Sequence, residues 1–220
     1  MTEYPIQELA EDIARSISPE EFDRAAYSAL GYFDGITQRA AVPVACHAGC
    51  SLCCSLRVDV FAHDVFLVVH HIRTHFSPAE LAELRGRLAE HASKVLPLTP
   101  FEHATSNNPC PLLREDGRCG VYVARPHSCR RHHSLDFAVC QFTYDHPTDL
   151  EAPAAHDRDL YRALTGAMQQ NIDAYSTAGF DHTIYELGTA LHEALNDLSC
   201  WQRWRNHEQA FLHASVTPAG

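Results

Sequence analysis

Residues 46–54 read CHAGCSLCC and place four cysteines within nine residues. A loop of this length can turn back on itself, so that several thiol groups converge on one point. Thiolates bind zinc and iron–sulfur clusters far better than carboxylates do. An isolated cysteine is most often a small buried hydrophobic residue, but four inert thiols would hardly gather on one glycine-containing loop. The stretch therefore predicts one half of a metal site, around which the rest of the chain folds.

A second group of cysteines, more widely spaced, begins at residue 110. Its members are separated by eight, nine and ten residues. Two such regions can close one site between them, and folding is then coupled to metal binding. The predicted metal ligands from both regions are Cys46, Cys50, Cys53, Cys54, Cys110, Cys119, Cys129 and Cys140. The ninth cysteine, Cys200, stands beside Trp201 in a predicted helix, and we interpret it as a buried core residue.

The number and setting of the cysteines argue against a disulfide framework. Nine is an odd number, and a chain of 220 residues is long enough to fold without covalent cross-links. The N-terminal residues include acidic ones where a signal peptide needs a basic start and an apolar stretch. No run reaches the roughly 18 apolar residues of a membrane span, since His63 and Asp64 interrupt the best candidate, residues 58–69. We expect a cytoplasmic protein, whose thiols stay reduced.

Composition and charge further limit the kind of protein that this sequence encodes. Hydrophobic residues make up 45% of the chain, which is typical of a globular protein rather than a disordered one. A net charge of −11 offers no broad basic surface, so nucleic acid is not an expected partner. We predict a single domain over residues 1–220, with a cysteine-cluster core at 44–140 and helical flanks at 1–43 and 141–220.

Helix signals dominate outside the cysteine regions. Ser18-Pro19-Glu20-Glu21 and Ser77-Pro78-Ala79-Glu80 each combine a cap, a first-turn proline and a capping-box glutamate. The first forty residues read as helical, and further helices are predicted over about 63–75, 78–94, 154–177, 184–198 and 200–214. Short strands are predicted near residues 58–60 and in a hairpin around Asp116-Gly117. The predicted fold class is mostly α, a helical domain with a small β-hairpin and strand region around the cysteine-rich metal site.

Several motifs occur in a recognisable order across both cysteine regions. They are Cys-x3-Cys-x2-Cys-Cys at 46–54, Cys110-Pro111-Leu112-Leu113, Gly117-Arg118-Cys119, Tyr122, Arg125-Pro126-x2-Cys129-Arg130 and Ser134-x-Asp136-x3-Cys140. Over residues 44–140 this pattern resembles the YkgJ-type cysteine-cluster family, whose members are described as zinc- or iron-chelating proteins. Other members have two residues where this chain has three between Cys46 and Cys50. The resemblance implies that the cysteines chelate a metal, and it leaves both the metal and any reaction open.

The cysteine spacing favours an iron–sulfur cluster over zinc by a small margin. Structural zinc sites usually come as paired knuckles of two closely spaced cysteines, and the second region does not supply such a pair. The irons of a cluster accept thiolates from scattered loops. We therefore expect an iron–sulfur cluster of the [4Fe-4S] type, with zinc as the alternative. Arg125 and Arg130 fit as hydrogen-bond donors around a negatively charged cluster, and they would suit a zinc–thiolate site as well.

Two other patterns carry less weight. Cys46-x3-Cys50-x2-Cys53 has the spacing of radical S-adenosylmethionine enzymes, but the chain lacks the alternating strands and helices of their barrel. His71 and His75 share a predicted helix face, yet no acidic partner lies between them as in a His-Glu-x2-His zinc site.

The sequence is compatible with three functions. The first is a cysteine-cluster metalloprotein whose centre is structural or redox-active. The second is a metal-dependent enzyme that modifies a protein side chain. It is suggested by larger proteins with a similar cysteine cluster that look like protein-lysine methylases, and by thiols near Arg and His, a usual setting for activated cysteine. The third is metal storage or delivery, which requires exchangeable binding. The expected partner is the metal ion or cluster, and the sequence names neither a catalytic residue nor a protein substrate.

Overall fold

A computed structural model of the protein describes residues 18–151 and 154–218, so the helix predicted for the first seventeen residues lies outside the described part. The helices are α1 (Pro19–Ala40), α2 (Ala62–His75), α3 (Pro78–Val95), α4 (Pro100–Ala104), α5 (His127–Arg131), α6 (Phe137–Asp145), α7 (Arg158–Thr177), α8 (Leu187–Asn196) and α9 (Ser199–Arg205). Two short strands, β1 (Asp59–Val60) and β2 (Tyr185–Glu186), form an antiparallel sheet. Single turns of 3-10 helix cover Leu52–Ser55 and Tyr122–Ala124. The predicted mostly α fold is confirmed.

Both predicted capping boxes are present. Ser18 Oγ accepts a hydrogen bond from Glu21 N at 3.2 Å, and Ser77 Oγ accepts one from Glu80 N at 3.3 Å. Thr99 begins α4 in the same way, with its Oγ1 accepting from the main chain three residues later. This helix is not among those predicted from the sequence, although Thr99-Pro100-Phe101-Glu102 repeats the Ser-Pro-x-Glu pattern of the other two starts. Proline at the first position of a helix is favourable, since its missing N–H has no intrahelical partner there.

The hydrophobic core gathers side chains from both flanks and from the middle of the chain. Trp204 of α9 is fully buried, and its ring centroid lies 5.2 Å from that of Phe22 in α1 and 5.1 Å from that of Phe66 in α2. Phe211 packs on Phe66 at 5.3 Å. This ring cluster therefore packs the flanks onto the middle of the chain. Within the described ranges, no helix has both the length and the apolar character that a membrane crossing requires.

The two strands join the segment after the first cysteine loop to the C-terminal part of the chain. In the β1–β2 pair, Asp59 lies opposite Glu186. Arg57 adds side-chain bonds to the same region, since its guanidinium donates to Ser215 Oγ at 3.3 Å and to Thr217 Oγ1 at 3.1 Å. The chain that leaves the first cysteine loop is thus fixed by residues that come late in the sequence.

Two helix predictions in the C-terminal flank are wrong at their ends. Residues 185–186 form a strand, and the Glu186 carboxylate caps α8 by accepting hydrogen bonds from Gly188 N at 2.9 Å and Thr189 N at 2.7 Å. The last predicted helix ends at Arg205 rather than 214, and the segment after it is not helical. Phe211 completes the helical pattern in the sequence, but it reaches the core from this irregular segment.

The predicted hairpin around residues 116–117 is confirmed in a reduced form. Leu113 and Cys119 form a single antiparallel bridge, and Arg114 N donates to Arg118 O at 2.9 Å. Gly117 takes φ +77° in the turn between them. The sequence analysis predicts neither α5 nor α6, two short helices within the second cysteine region.

Candidate metal centre

Main-chain hydrogen bonds fold the first cysteine loop back on itself. Cys50 N donates to His47 O at 3.0 Å, and Cys54 N donates to Ser51 O at 2.9 Å. Gly49 adopts φ +90° in this loop, a conformation that L side chains rarely take. Two turns in succession therefore direct the four thiols of this loop toward the second cysteine region.

Two contacts join the loop directly to the second region. Cys110 N donates to Cys54 O at 2.7 Å. The hairpin turn also lies against the loop, because a Cβ atom added to Gly117 would come within 2.8 Å of the Gly49 carbonyl oxygen. Glycine is therefore required at 117 both for its backbone conformation and for the close approach of the two loops.

Cys129 lies in α5, which is joined by hydrogen bonds to β1 and to α2. Ser128 Oγ donates to the Asp59 carbonyl in β1 at 2.6 Å. The main-chain N and the Nδ1 atom of His127 lie 3.3 Å and 2.9 Å from Asp64 Oδ1 at the start of α2. The position of the Cys129 thiol is thus set by a strand and a helix rather than by a free loop.

The thiols of the two regions meet at Cys129 and Cys53. Burial raises the pKa of Cys129 to about 12, and the neighbouring thiols of Cys119 and Cys53 contribute to the rise. Burial also raises the pKa of Cys110, whose neighbours are Cys129 and Cys119. Since Cys53 belongs to the first loop and the other three to the second region, one group of thiols spans both.

The remaining thiols extend this group on the side of the first loop. A hydrogen bond with the Cys54 side chain raises the pKa of Cys53, and burial adds to the effect. Partial desolvation raises the pKa of Cys46, which has Cys53, Cys140 and Cys50 as neighbours. All eight predicted ligands therefore belong to one connected group. Where the pKa is raised, at Cys46, Cys53, Cys110, Cys119 and Cys129, a metal must displace a proton from the thiol when it binds.

Cys200 stands apart from this group. All nine cysteines are free thiols, and Cys200 is buried in the hydrophobic core, as predicted. Burial and the Glu193 carboxylate raise its pKa to about 12. Arg203 Nη2 lies 3.2 Å from its sulfur.

The two arginines predicted to surround the centre have different environments. Arg125 lies over the Tyr122 ring, with its guanidinium carbon 4.2 Å from the ring centroid. Its buried Nε atom has no hydrogen-bond partner among the described residues. Its positive charge partly offsets the effect of burial on the pKa values of three thiols, those of Cys53, Cys119 and Cys129. The Arg125 side chain therefore lies near the group of thiols and has a buried N–H group without an acceptor in the described chain.

Arg130 is engaged elsewhere. Its guanidinium binds the Asp34 carboxylate in α1 and donates to the carbonyl oxygens of Arg125 at 3.0 Å and Val123 at 2.6 Å. Its charge reaches Cys119 only as a weak influence. Arg130 thus holds the backbone that carries Arg125.

The spacing of the thiols distinguishes this group from a closed single-ion site. Among the described residues, three groups of three possible ligands have their donor atoms within 4.8 Å of one another, and none of them contains any of the eight predicted cysteines. Four thiolates around one zinc ion lie about 3.8 Å apart, because Zn–S bonds are about 2.3 Å long. The eight thiols are therefore near neighbours that are spread more widely than the ligands of one tetrahedral ion.

A cavity of about 320 Å³ borders the thiols on one side. Cys53 and Cys140 line it together with His133 and Tyr161. His133 is fixed in place, since its Nε2 atom accepts a hydrogen bond from Asp157 N at 3.1 Å. The group of thiols is thus open to a small molecule from this side.

The sequence analysis misses two buried groups of possible ligands. One consists of His63, Asp64 and His127, and the other of His91, His103 and Glu186. A signal for the first group exists, because the pair His63-Asp64 interrupts an apolar stretch and buried polar groups need partners. The second group has no local signal, since α3, α4 and β2 each supply one of its members.

Comparisons with known proteins bear on the same region. Residues 45–149, a little under half of the chain, match the family model described as "CxxCxxCC: Putative zinc- or iron-chelating domain". Comparison with curated proteins and with solved structures found no match. The family pattern has two residues in its first interval where this chain has three, and Gly49 lies in that longer interval. The resemblance predicted from the cysteine motifs is confirmed, since residues 45–149 are similar to this family of zinc- or iron-chelating domains.

Proposed function

We propose that the cysteines of both regions bind an iron–sulfur cluster of the [4Fe-4S] type. The observation that carries the proposal is the arrangement of the thiols, which form one connected group in which no three sulfur atoms lie within 4.8 Å of one another. Each thiolate of a [4Fe-4S] cluster binds a different iron, so these ligands lie further apart than the ligands of a single zinc ion. The family description, zinc- or iron-chelating, includes both metals.

Arg125 supports an anionic occupant. A buried N–H group without a partner costs free energy unless something accepts its hydrogen bond. A cluster with four thiolate ligands carries negative charge, and hydrogen bonds to its sulfur atoms are common. We infer that the Nε atom of Arg125 donates such a bond, because it is buried without a partner in the described chain and its charge acts on Cys119 and Cys129. With eight cysteines present, the chain has ligands for one such cluster with thiols to spare, or for two.

The test is anaerobic purification of the full chain, followed by absorbance spectroscopy and by analysis of iron, zinc and acid-labile sulfide in one sample. Matched iron and sulfide with a broad visible absorption band are the expected result. A colourless protein with stoichiometric zinc would overturn the iron–sulfur assignment and leave metal chelation intact.

Variants of the cysteines locate the centre. The double variant Cys50→Ser/Cys53→Ser should lose its metal, because it removes two thiols of the first loop. Cys200→Ser is the matched control, since Cys200 is buried away from the eight thiols and should be dispensable for metal content. Full metal retention in the double variant would contradict the proposed ligands.

The cavity beside Cys53 and Cys140 favours a second candidate function, a metal-dependent enzyme that modifies a protein side chain or a small molecule. An enzyme of this kind needs a coordination position that a substrate can reach. Addition of cyanide or a small thiol to the loaded protein should then change its absorption spectrum. A centre that does not respond to either reagent would be closed, and the redox or structural function would remain.

A further inference from the structure

A second group of metal-ligand side chains lies in the core, apart from the eight cysteines. His63, Asp64 and His127 are 5%, 3% and 4% exposed, and their donor atoms lie within 4.8 Å of one another. Asp64 Oδ1 is 2.9 Å from His127 Nδ1, and Asp64 Oδ2 is 3.8 Å from His63 Nε2. Two imidazoles and one carboxylate form a donor set that suits zinc, iron and cobalt as divalent ions.

The position of the Asp64 carboxylate, in contact with two buried imidazoles, is the observation that points to a cation. Burial alone would raise the pKa of this carboxyl, but its contacts with His63 and His127 outweigh burial and lower the pKa to about 2. Among the described residues, its ion-pair partners are these two imidazoles, with no lysine or arginine. Burial lowers the pKa of His63 to about 4, so this ring is neutral at pH 7. A buried carboxylate needs a compensating partner, and a metal ion held between these three side chains would supply one.

The surroundings hold the three side chains in place. The His63 ring stacks on Tyr175 at a centroid distance of 4.0 Å, and the His127 ring meets Phe33 edge-on at 5.3 Å. Asn171 of α7 places its amide nitrogen 3.1 Å from His63 Nε2. A half-turn of this amide would put its carbonyl oxygen at the same point and add a fourth donor.

The other buried histidine group does not carry the same inference. The Glu186 carboxylate already accepts hydrogen bonds from Gly188 N and Thr189 N, where it caps α8. Arg57 Nη1 lies 3.4 Å from His103 Nδ1, so a cation is already present beside that group. Asp64 also accepts main-chain hydrogen bonds, from Phe61 N at 3.4 Å and His127 N at 3.3 Å, but no guanidinium pairs with it in the described part of the chain.

We propose that His63, Asp64 and His127 bind one divalent ion of the zinc and iron class, at a site separate from the thiols. Three protein ligands leave a coordination position for Asn171, water or a substrate, as in catalytic rather than structural zinc sites. The proposal does not depend on which metal the cysteines bind.

The test uses cobalt as a spectroscopic probe of the full chain after removal of bound metal under anaerobic conditions. Cobalt bound to thiolates shows sulfur charge-transfer absorption, whereas cobalt bound to histidine and carboxylate shows only weak visible bands. We expect the wild-type chain to take up one equivalent without charge-transfer absorption, in addition to the thiolate-bound ions. Asp64→Asn should lose that one equivalent and keep the charge-transfer absorption unchanged.

Two further variants keep the result interpretable. His63→Gln removes one ligand and leaves the hydrogen bond between His127 and Asp64 intact, so it tests the site even where Asp64→Asn does not fold. His91→Gln, in the other buried group, is the matched control and should retain the full uptake. Equal cobalt uptake in wild type and His63→Gln, or no uptake outside the thiols in wild type, would overturn the proposal and leave Asp64 and His127 as a buried ion pair. Loss of charge-transfer absorption in all variants would count against the cysteine centre instead.

Discussion

The helical frame of α2, α3 and α8 and the cysteine region, residues 46–54 and 110–140, differ in what keeps them folded. In the frame, residues such as Val65, Leu88 and Leu191 are fully buried. In the cysteine region, Tyr122 and Val123 are each 59% exposed, and main-chain bonds and a glycine contact join the loops. The frame is therefore stabilised mainly by apolar burial. The cysteine region contributes Leu112, Val121 and Ala124 to the core and, under our proposal, relies on metal ligation to hold its loops.

The largest effect on the free energy of unfolding should come from breaking the ring cluster that packs α1 and α9 against α2 of the frame. Trp204→Ala should lower the free energy of unfolding by about 3–5 kcal/mol, because it removes a fully buried ring and leaves a cavity. Leu198→Ala, just before α9, is the control, since Leu198 is 71% exposed and the change should stay within about 0.5 kcal/mol. Denaturant unfolding followed by circular dichroism measures both. Equal losses in the two variants would contradict the role of the cluster.

A pH-dependent effect should follow from Glu186, which links the frame to β1. Burial alone would raise its pKa, but hydrogen bonds from His91 and from the start of α8 lower it from 4.5 to about 2. A lowered pKa stabilises the fold fully above pH 4.5, and this contribution is lost as the pH falls toward 2. Glu186→Gln should therefore cost roughly 2–3 kcal/mol at pH 7 and nothing near pH 2. Unfolding curves of both proteins at several pH values test this, and a pH-independent difference would contradict it.

A smaller effect, confined to the cysteine region, is expected at Gly117. Gly117→Ala must place a Cβ atom 2.8 Å from the Gly49 carbonyl at a positive φ, so the two loops have to separate. We expect reduced metal content and faster amide exchange in residues 46–54, with α2 still protected. Gly86→Ala in α3 meets nothing within 4 Å and should stabilise the helix by roughly 0.5–1 kcal/mol. Unchanged metal content in Gly117→Ala would show that the loops need not touch.

The smallest effect on stability should come from Arg125. Arg125→Gln removes the charge beside Cys119 and Cys129 but not their thiols, so metal content should persist. If the centre is an iron–sulfur cluster, its reduction potential should fall, because a positive charge and a hydrogen bond both favour the reduced, more negative form. Arg131→Gln is the control, since Arg131 lies over the Tyr161 ring and near Thr165. Equal potentials in both variants would remove Arg125 from this role.

The frame and the cysteine region also differ in how far the sequence predicts them. Helix starts at Ser18 and Ser77 are local signals, and both are confirmed because side-chain caps act within one turn. The same signal at Thr99 begins a helix of only five residues, Pro100–Ala104, which is not predicted from the sequence. The strands β1 and β2 have two residues each and exist through their pairing, which no local pattern specifies.

In the candidate site, too, local features can be predicted from the sequence and long-range contacts cannot. The cysteines are recognisable by type and spacing, and the structure gathers all eight into one group. The different environments of Arg125 and Arg130 are not predictable, since they depend on Asp34 in a distant helix. The contact between His127 and Asp64 is not predictable either, because Asp64 lies sixty-three positions earlier in the chain and the contact forms only when α5 packs against α2.

The bonds from Arg57 to Ser215 and Thr217 set an order of events during biosynthesis. The segment that leaves the first cysteine loop is completed by residues 158 and 160 positions later, and contacts this distant in sequence form late. During translation the cysteines up to Cys140 leave the ribosome well before β2 and the 215–217 segment that fix β1. A nascent chain therefore exposes the full set of thiols before their frame is complete, and during this interval they are open to a delivery factor, and equally to oxidation.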